Sequence, residues 1–213
     1  MKITRKELDK EINNSLKTIM KKYGYKKRSC VLFKKRGNYF ITILIAATGI
    51  NNNKICIREG IKPYFIDDLF WKVFHMPENS NEPMGLRANG AFAVNCLEIN
   101  VQHREVSQYD EVYNFVDELV NNANAEIEAL LDNLGEDVQA FRKYSLSVDK
   151  AGLYDPVLSE MLFRINDEDY TSARELAIEE IKNYRYGHFG NEGKYIYHHV
   201  VDYCDKYLGG NYE

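Results

Sequence analysis

The stretch SCVLFKKRGNYFITILIAAT, residues 29–48, sets the class of fold. Two apolar runs flank Gly37-Asn38, a pair suited to a tight turn, so the stretch predicts two strands joined there. The second run, from Tyr39 to Thr48, is apolar on both faces and belongs inside a sheet rather than at its edge. Downstream, INNN at 50–53 supplies a turn, KICIREGI at 54–61 alternates as a half-buried strand, and GAFAVNCLEINVQ at 90–102 predicts a fourth strand. Consecutive strands linked by short turns imply antiparallel pairing. Upstream, Leu8, Ile12, Leu16, Ile19 and Tyr23 recur at steps of four and three, which predicts an amphipathic helix ending at Gly24 and packed on one face of the sheet. Lys6, Lys10, Lys17 and Lys21 fall on its opposite side.

From Ser107 the period changes. SQYD at 107–110 reads as a capping box, and Val112, Val116, Leu119, Ala123, Ile127, Leu130 and Leu134 repeat at close to 3.5 residues through a long helix broken at Gly135. Asp155-Pro156 is a cap followed by a first-turn proline, opening a helix to about Ile165. Asn166 or Asp167 starts another, with Tyr170, Ala173, Ala177, Ile181 and Tyr184 along one face. A last helix spans roughly 192–208 and stops at Gly209-Gly210. The expected fold is α+β: an N-terminal helix on a mostly antiparallel sheet of about four strands, then a long helix and a helical C-terminal unit, with units at 1–150 and 151–213.

A chain of 213 residues buries roughly 70% of the surface its unfolded form exposes, so stability requires neither metal nor disulfide. Its 45% hydrophobic and 28% charged content fits a packed core and excludes a disordered chain. The N-terminus lacks an apolar leader core, and no apolar run approaches the roughly 20 residues of a membrane span, so a cytosolic protein is expected. Cys30, Cys56, Cys96 and Cys204 form no CxxC pair; they read as reduced core thiols, the first three on strands. Charge is unevenly distributed. Residues 1–36 carry thirteen Lys/Arg against three Asp/Glu, a balance of +10 within a total of −4, which leaves −14 on the rest.

Chemistry, if present, has to be sought between the third and fourth strands, in KPYFIDDLFWKVFHMPENSNEPMGLRANGAF at 62–92. Asp67 reads as an N-cap, Ile66 and Trp71 as a hydrophobic staple, and Pro77 as the block beyond His75, giving a short helix followed by a surface loop. Asp68, Trp71, His75 and Arg87 are the residues expected to line a cleft under that loop, with a core role for Trp71 as the competing reading. An enzyme would use Asp68 or His75 as acid or base. The basic segment KKYGYKKRSCVLFKKRGNYF interleaves Lys26, Lys27 and Arg28 with aromatics, a pattern that neutralises phosphates and stacks bases, unless its aromatics are core and its lysines face the acidic remainder. GHFGNEGKY lacks the spacing and the Lys-Ser/Thr of a phosphate loop. His198 and Asp202 share a helix face without a third ligand. Neither GxSxG nor HExxH occurs, so no catalytic residue, metal or cofactor is expected.

IMKKYGYKKRSCVLFKKRGNYFITILIAA at 19–47, with GIKPYFIDDLFW at 60–71 and LRANGAF at 86–92, resembles an uncharacterised bacterial family, the domain of unknown function 4304. The resemblance spans roughly residues 10 to 100 and implies an α+β domain in a bacterial cytosolic protein; Tyr25 stands where the family's usual aromatic is Phe. The functional expectation is a noncatalytic protein-binding module, regulatory or toxin-neutralising, because segregated charge, an exposed loop and tyrosine-rich helices suit an interface. The alternatives are nucleic-acid binding through Lys6, Lys10, Lys17, Lys21, Lys26, Lys27 and Arg28, and a small enzyme with its site under 62–90. A homodimer through the near-heptad face of 112–134 is a further expectation, against the simpler account in which that face covers the sheet.

Overall fold

The computed structural model describes residues 4–48, 53–89, 92–148 and 152–209. Helix α1 (Arg5–Lys22) opens on a capping box in which Thr4 and Glu7 bond reciprocally, and it buries Leu8, Ile12, Leu16 and Ile19. Strands β1 (Lys26–Arg28), β2 (Val31–Arg36), β3 (Tyr39–Thr48) and β4 (Lys54–Pro63) follow. Helix α2 (Phe65–Val73), a 3-10 turn over Pro77–Asn81 and the short helix α3 (Leu86–Asn89) lead to β5 (Leu97–Glu105). The five strands pair antiparallel in chain order, with β3 at the centre as its two apolar faces require.

The α+β class holds, with three local corrections. A fifth strand, β1, is too short and too basic for alternation to reveal. The fourth expected strand begins later, at Leu97, because Lys62 and Asp67 hold Val94 in the buried cluster described below. Cys30 lies in the turn between β1 and β2, and Cys96 just precedes β5, so of the first three cysteines only Cys56 is on a strand; all four thiols are free. The turn expected at 50–53 falls almost wholly outside the described residues.

Helix α4 (Val112–Leu134) is preceded by a 3-10 turn whose capping box uses Gln108 and Glu111, one residue beyond the box expected from Ser107. Of its near-heptad face, Val112, Val116, Leu119, Ala123 and Ile127 are buried against α1 and the sheet, while Leu130 and Leu134 are only partly buried and Val120 and Leu131 complete the covered stripe in their place. That face is therefore closed to the homodimer the repeat suggested. Gly135, at φ 62°, ends the helix in the left-handed region where a Cβ is unfavourable. Helix α5 (Val138–Ser147) then carries Phe141 against Tyr39.

Helix α6 (Pro156–Asn166) starts as expected, its cap Asp155 accepting from the backbone of Val157 and Leu158. Helix α7 (Tyr170–Lys182) is capped by Asp169 rather than by Asn166 or Asp167, and Tyr184, beyond its end, is exposed instead of sharing the buried face of Ala173 and Ala177. A hairpin of β6 (Gly190–Asn191) and β7 (Lys194–Tyr195) occupies the first residues assigned to the last helix, so α8 runs Ile196–Leu208. Gly209 caps it, and Gly210 lies outside the described residues. Helices α6 and α8 pack on α2, and one apolar cluster runs from Leu8 to Cys204. Among the described residues no helix is long and apolar enough to cross a membrane.

Candidate functional site

Period-two alternation along β4 points Ile55, Ile57, Glu59 and Ile61 toward the helices, and Arg58, Gly60 and Lys62 to the outer face. Lys62 is fully buried there. Its ammonium lies over the Phe40 ring and donates to Asp67 Oδ1 at 3.0 Å, to the Arg87 carbonyl at 3.0 Å and to the Val94 carbonyl. Three donors meet three acceptors.

Asp67, equally buried, also accepts from the Val94 N–H at 2.9 Å. It is not the N-cap. Tyr64 holds that position without a side-chain bond, and because the helix already begins at Phe65, Ile66 lies inside it and no staple forms ahead of it. Burial raises the Asp67 carboxyl above its ordinary value, and the Lys62 ammonium, Arg87 and the Val94 N–H act against that rise.

Arg87 completes the cluster. Its guanidinium sits 4.2 Å from the Tyr64 ring centre and 4.8 Å from that of Trp71, donates to the Tyr64 carbonyl at 3.1 Å, and pairs with Asp68 at 2.5 Å. The Trp71 indole N–H donates to the Phe92 carbonyl. Asp68, Trp71 and Arg87 are thus brought together, but only Arg87 lines the cleft described below: Trp71 is wholly buried with its N–H on the Phe92 carbonyl, and Asp68 is paired with Arg87. His75 is not part of the group. Beyond the end of α2, at φ 60°, it bonds Glu192 at 2.9 Å and packs edge-on against His199.

On the outer face beside this cluster lies a cleft of about 160 Å³, floored by Val31, Thr42, Leu44 and Gly60 and walled by Arg87 to Asn89 and Ala93 to Cys96. Burial pushes the Cys96 thiol up, the opposite of what an activated nucleophile needs. Arg58, at the rim, is paired with Glu98.

The buried cluster has a mechanical consequence at the sheet edge. By fixing Arg87 it holds the preceding loop, and Arg28 of β1 donates to the Gly85 carbonyl at 2.9 Å. Between β1 and this loop runs a groove of about 550 Å³, with Lys26, Lys27 and Arg28 on one side, Phe33 beneath, and Glu82, Pro83, Met84 and Leu86 opposite.

Apart from Arg5, paired with Asp9 within α1, and Lys35, over the Tyr64 ring, the described positive charge of residues 1–36 divides into two sets. Lys22, Lys34 and Arg36 are neutralised by α4, through Asp117 at 2.7 Å, Glu128 at 2.9 and 2.5 Å, and Asp132 at 2.5 Å. Lys6, Lys10, Lys17, Lys21, Lys26, Lys27 and Arg28 have no carboxylate within 4.0 Å among the described residues. Lys6 and Lys10 share the first half of α1 with Glu7, Asp9 and Glu11, whereas Lys17 and Lys21 lead without an acidic neighbour into β1. The aromatics of this segment are not available for base stacking. Tyr25, Phe33 and Tyr39 are buried, Phe33 lies against Phe40, and the Tyr23 hydroxyl donates to Asp117.

Three buried charged residues escaped the sequence reading: Lys62, Glu59 and Glu180, the last paired with Arg185 at 2.5 Å. Lys62 left a faint signal, a lysine within an apolar run followed five residues later by an aspartate. Glu59 left none: it is fully buried under α4, with Oε1 accepting from Asn100 and Gln102 and Oε2 without a partner. Of the helical pair His198 and Asp202, Asp202 is bonded to Lys194 at 2.5 Å. Comparison with models of known families, with curated proteins and with solved structures finds no match.

Proposed function

We propose that this chain is a noncatalytic module that recognises another protein, in keeping with its resemblance to the bacterial domain of unknown function 4304 and with a regulatory or toxin-neutralising role in the cytosol. One observation carries the reading: Lys17, Lys21, Lys26, Lys27 and Arg28 lie without a carboxylate partner among the described residues, along one end of a molecule whose remaining charge is acidic. Unpaired charge of one sign on a surface of the other steers and orients a partner more than it stabilises the fold. The mutual pairing of Asp68 with Arg87 and of His75 with Glu192 supports the noncatalytic part.

The same lysines favour nucleic acid as a second reading, since phosphate contacts need only cations. Burial of Tyr25, Phe33 and Tyr39 weighs against it, because single-strand binders stack bases on exposed rings. Affinity purification of the native protein at low salt tests both. A stoichiometric protein that is lost as salt rises, and lost from a Lys26→Glu/Lys27→Glu/Arg28→Glu variant, is expected. An eluate with no partner refutes the proposal, and one containing nucleic acid transfers it to the second reading.

A further inference from the structure

Which kind of partner the groove between β1 and the loop at 82–86 fits follows from its geometry and depends on the protein-binding reading above. Register places Lys26 opposite Phe33 and Arg28 opposite Val31, so both cations belong to the outer face, while Lys27 belongs to the helix side. Two residues apart on a strand, their attachment points are separated by about 7 Å. The backbone of β1 is half open. Because the Ile45 N–H bonds the Cys30 carbonyl, alternation turns Leu32 toward β3 and Val31 and Phe33 toward β1, which leaves the N–H and C=O of Lys27 on the free edge. The opposite wall is apolar at Pro83, Met84 and Leu86, but it also carries Glu82.

We infer that the groove receives an extended segment of the partner protein in which acidic and apolar residues alternate. An extended chain repeats its side-chain direction every second residue, with the same spacing that separates Lys26 from Arg28. Lying between the two walls, it turns its carboxylates at positions i and i+2 to the two cations and the apolar residue between them to Met84 and Leu86. Glu82 makes the far wall unfavourable for a uniform polyanion, which separates this ligand from a nucleic-acid strand. The short, lysine-rich edge also keeps β1 from pairing with uncharged strands, so the recognition is selective by charge.

The test uses the full chain and fluorescent hexapeptides in anisotropy titrations: Asp-Leu-Glu-Leu-Asp-Leu, the block isomer Asp-Glu-Asp-Leu-Leu-Leu, and a single-stranded DNA oligomer. The alternating peptide is expected to bind best, to weaken with salt, and to bind at least about tenfold more weakly to Lys26→Glu/Arg28→Glu. Lys26→Arg/Arg28→Lys should retain binding, and all three proteins should melt within a few degrees of one another, the charge-reversed protein losing only the exposed Arg28–Gly85 hydrogen bond. Equal binding of the two peptides, equal binding to the charge-reversed protein, no peptide binding, or preference for DNA overturns the assignment. If the peptides fail while a salt-sensitive protein still copurifies, the groove assignment falls and the binding reading stands; if no protein copurifies, both fall.

Discussion

Glu59→Gln should stabilise this protein, and by an amount that depends on pH. Glu59 is fully buried between the sheet and α4. Asn100 and Gln102 donate to its Oε1 at 3.4 and 3.2 Å, but the same two amides also serve Glu126, at 2.6 and 3.5 Å. Burial first, and then the negative charge of Glu126, push the Glu59 carboxyl up to about 7. The folded state thus holds this proton more tightly than the unfolded chain does. Its contribution is fully present below the ordinary carboxyl value, declines as pH rises, and is lost once pH passes about 7. A displacement from 4.5 to about 7 corresponds to about 3 kcal/mol at alkaline pH. Glutamine mimics the protonated form at every pH. Urea unfolding of both proteins between about pH 5 and about pH 8.5 should show a difference that starts small and grows to about 2–3 kcal/mol in favour of the variant. A difference that stays constant across that range would refute the reasoning, since only a titrating group can produce the slope.

Three further outcomes follow from the packing around the site. Lys62→Met should cost about 3–5 kcal/mol, because Asp67 is left buried without its ammonium partner and the Arg87 and Val94 carbonyls lose their donor, and Lys62→Met/Asp67→Asn should recover part of that loss in a double-mutant cycle. Arg87→Ala should cost about 2–4 kcal/mol and accelerate amide exchange across 83–96, with the emission of Trp71, the chain's one tryptophan, shifting as its cation neighbour goes. Gly60→Ala should destabilise by about 1–3 kcal/mol in thermal unfolding, since a Cβ there would lie 2.8 Å from Cys96 Cβ and 2.9 Å from Thr42 Oγ1.

Features that depend on neighbours in the chain were legible; features that depend on distant partners were not. The β2–β3 hairpin, the α1 stripe, the α4 repeat and the Asp155-Pro156 start are local patterns of apolarity or capping, and each is found in the fold. Asp67 shows the opposite case. Before a run of Leu, Phe and Trp it is indistinguishable from a cap, and only the register of β4, which buries Lys62 on the outer face, turns it into an ion partner. His75 was grouped with Asp68 by proximity in sequence, whereas its actual partner, Glu192, lies 117 residues away. For the basic segment, composition showed the excess charge but not its division, because that depends on which lysines lie under α4.

The claim that the β1 end is a protein-recognition surface is tested most directly by lysine-reactivity footprinting of the protein alone and with its copurified partner. Lys26 and Lys27 should lose reactivity in the complex, Lys17 and Lys21 should follow to a lesser degree, and Lys54 and Lys206, on other parts of the surface, should be unchanged. Protection confined to lysines elsewhere, with Lys26 and Lys27 as reactive as in the free protein, would contradict it.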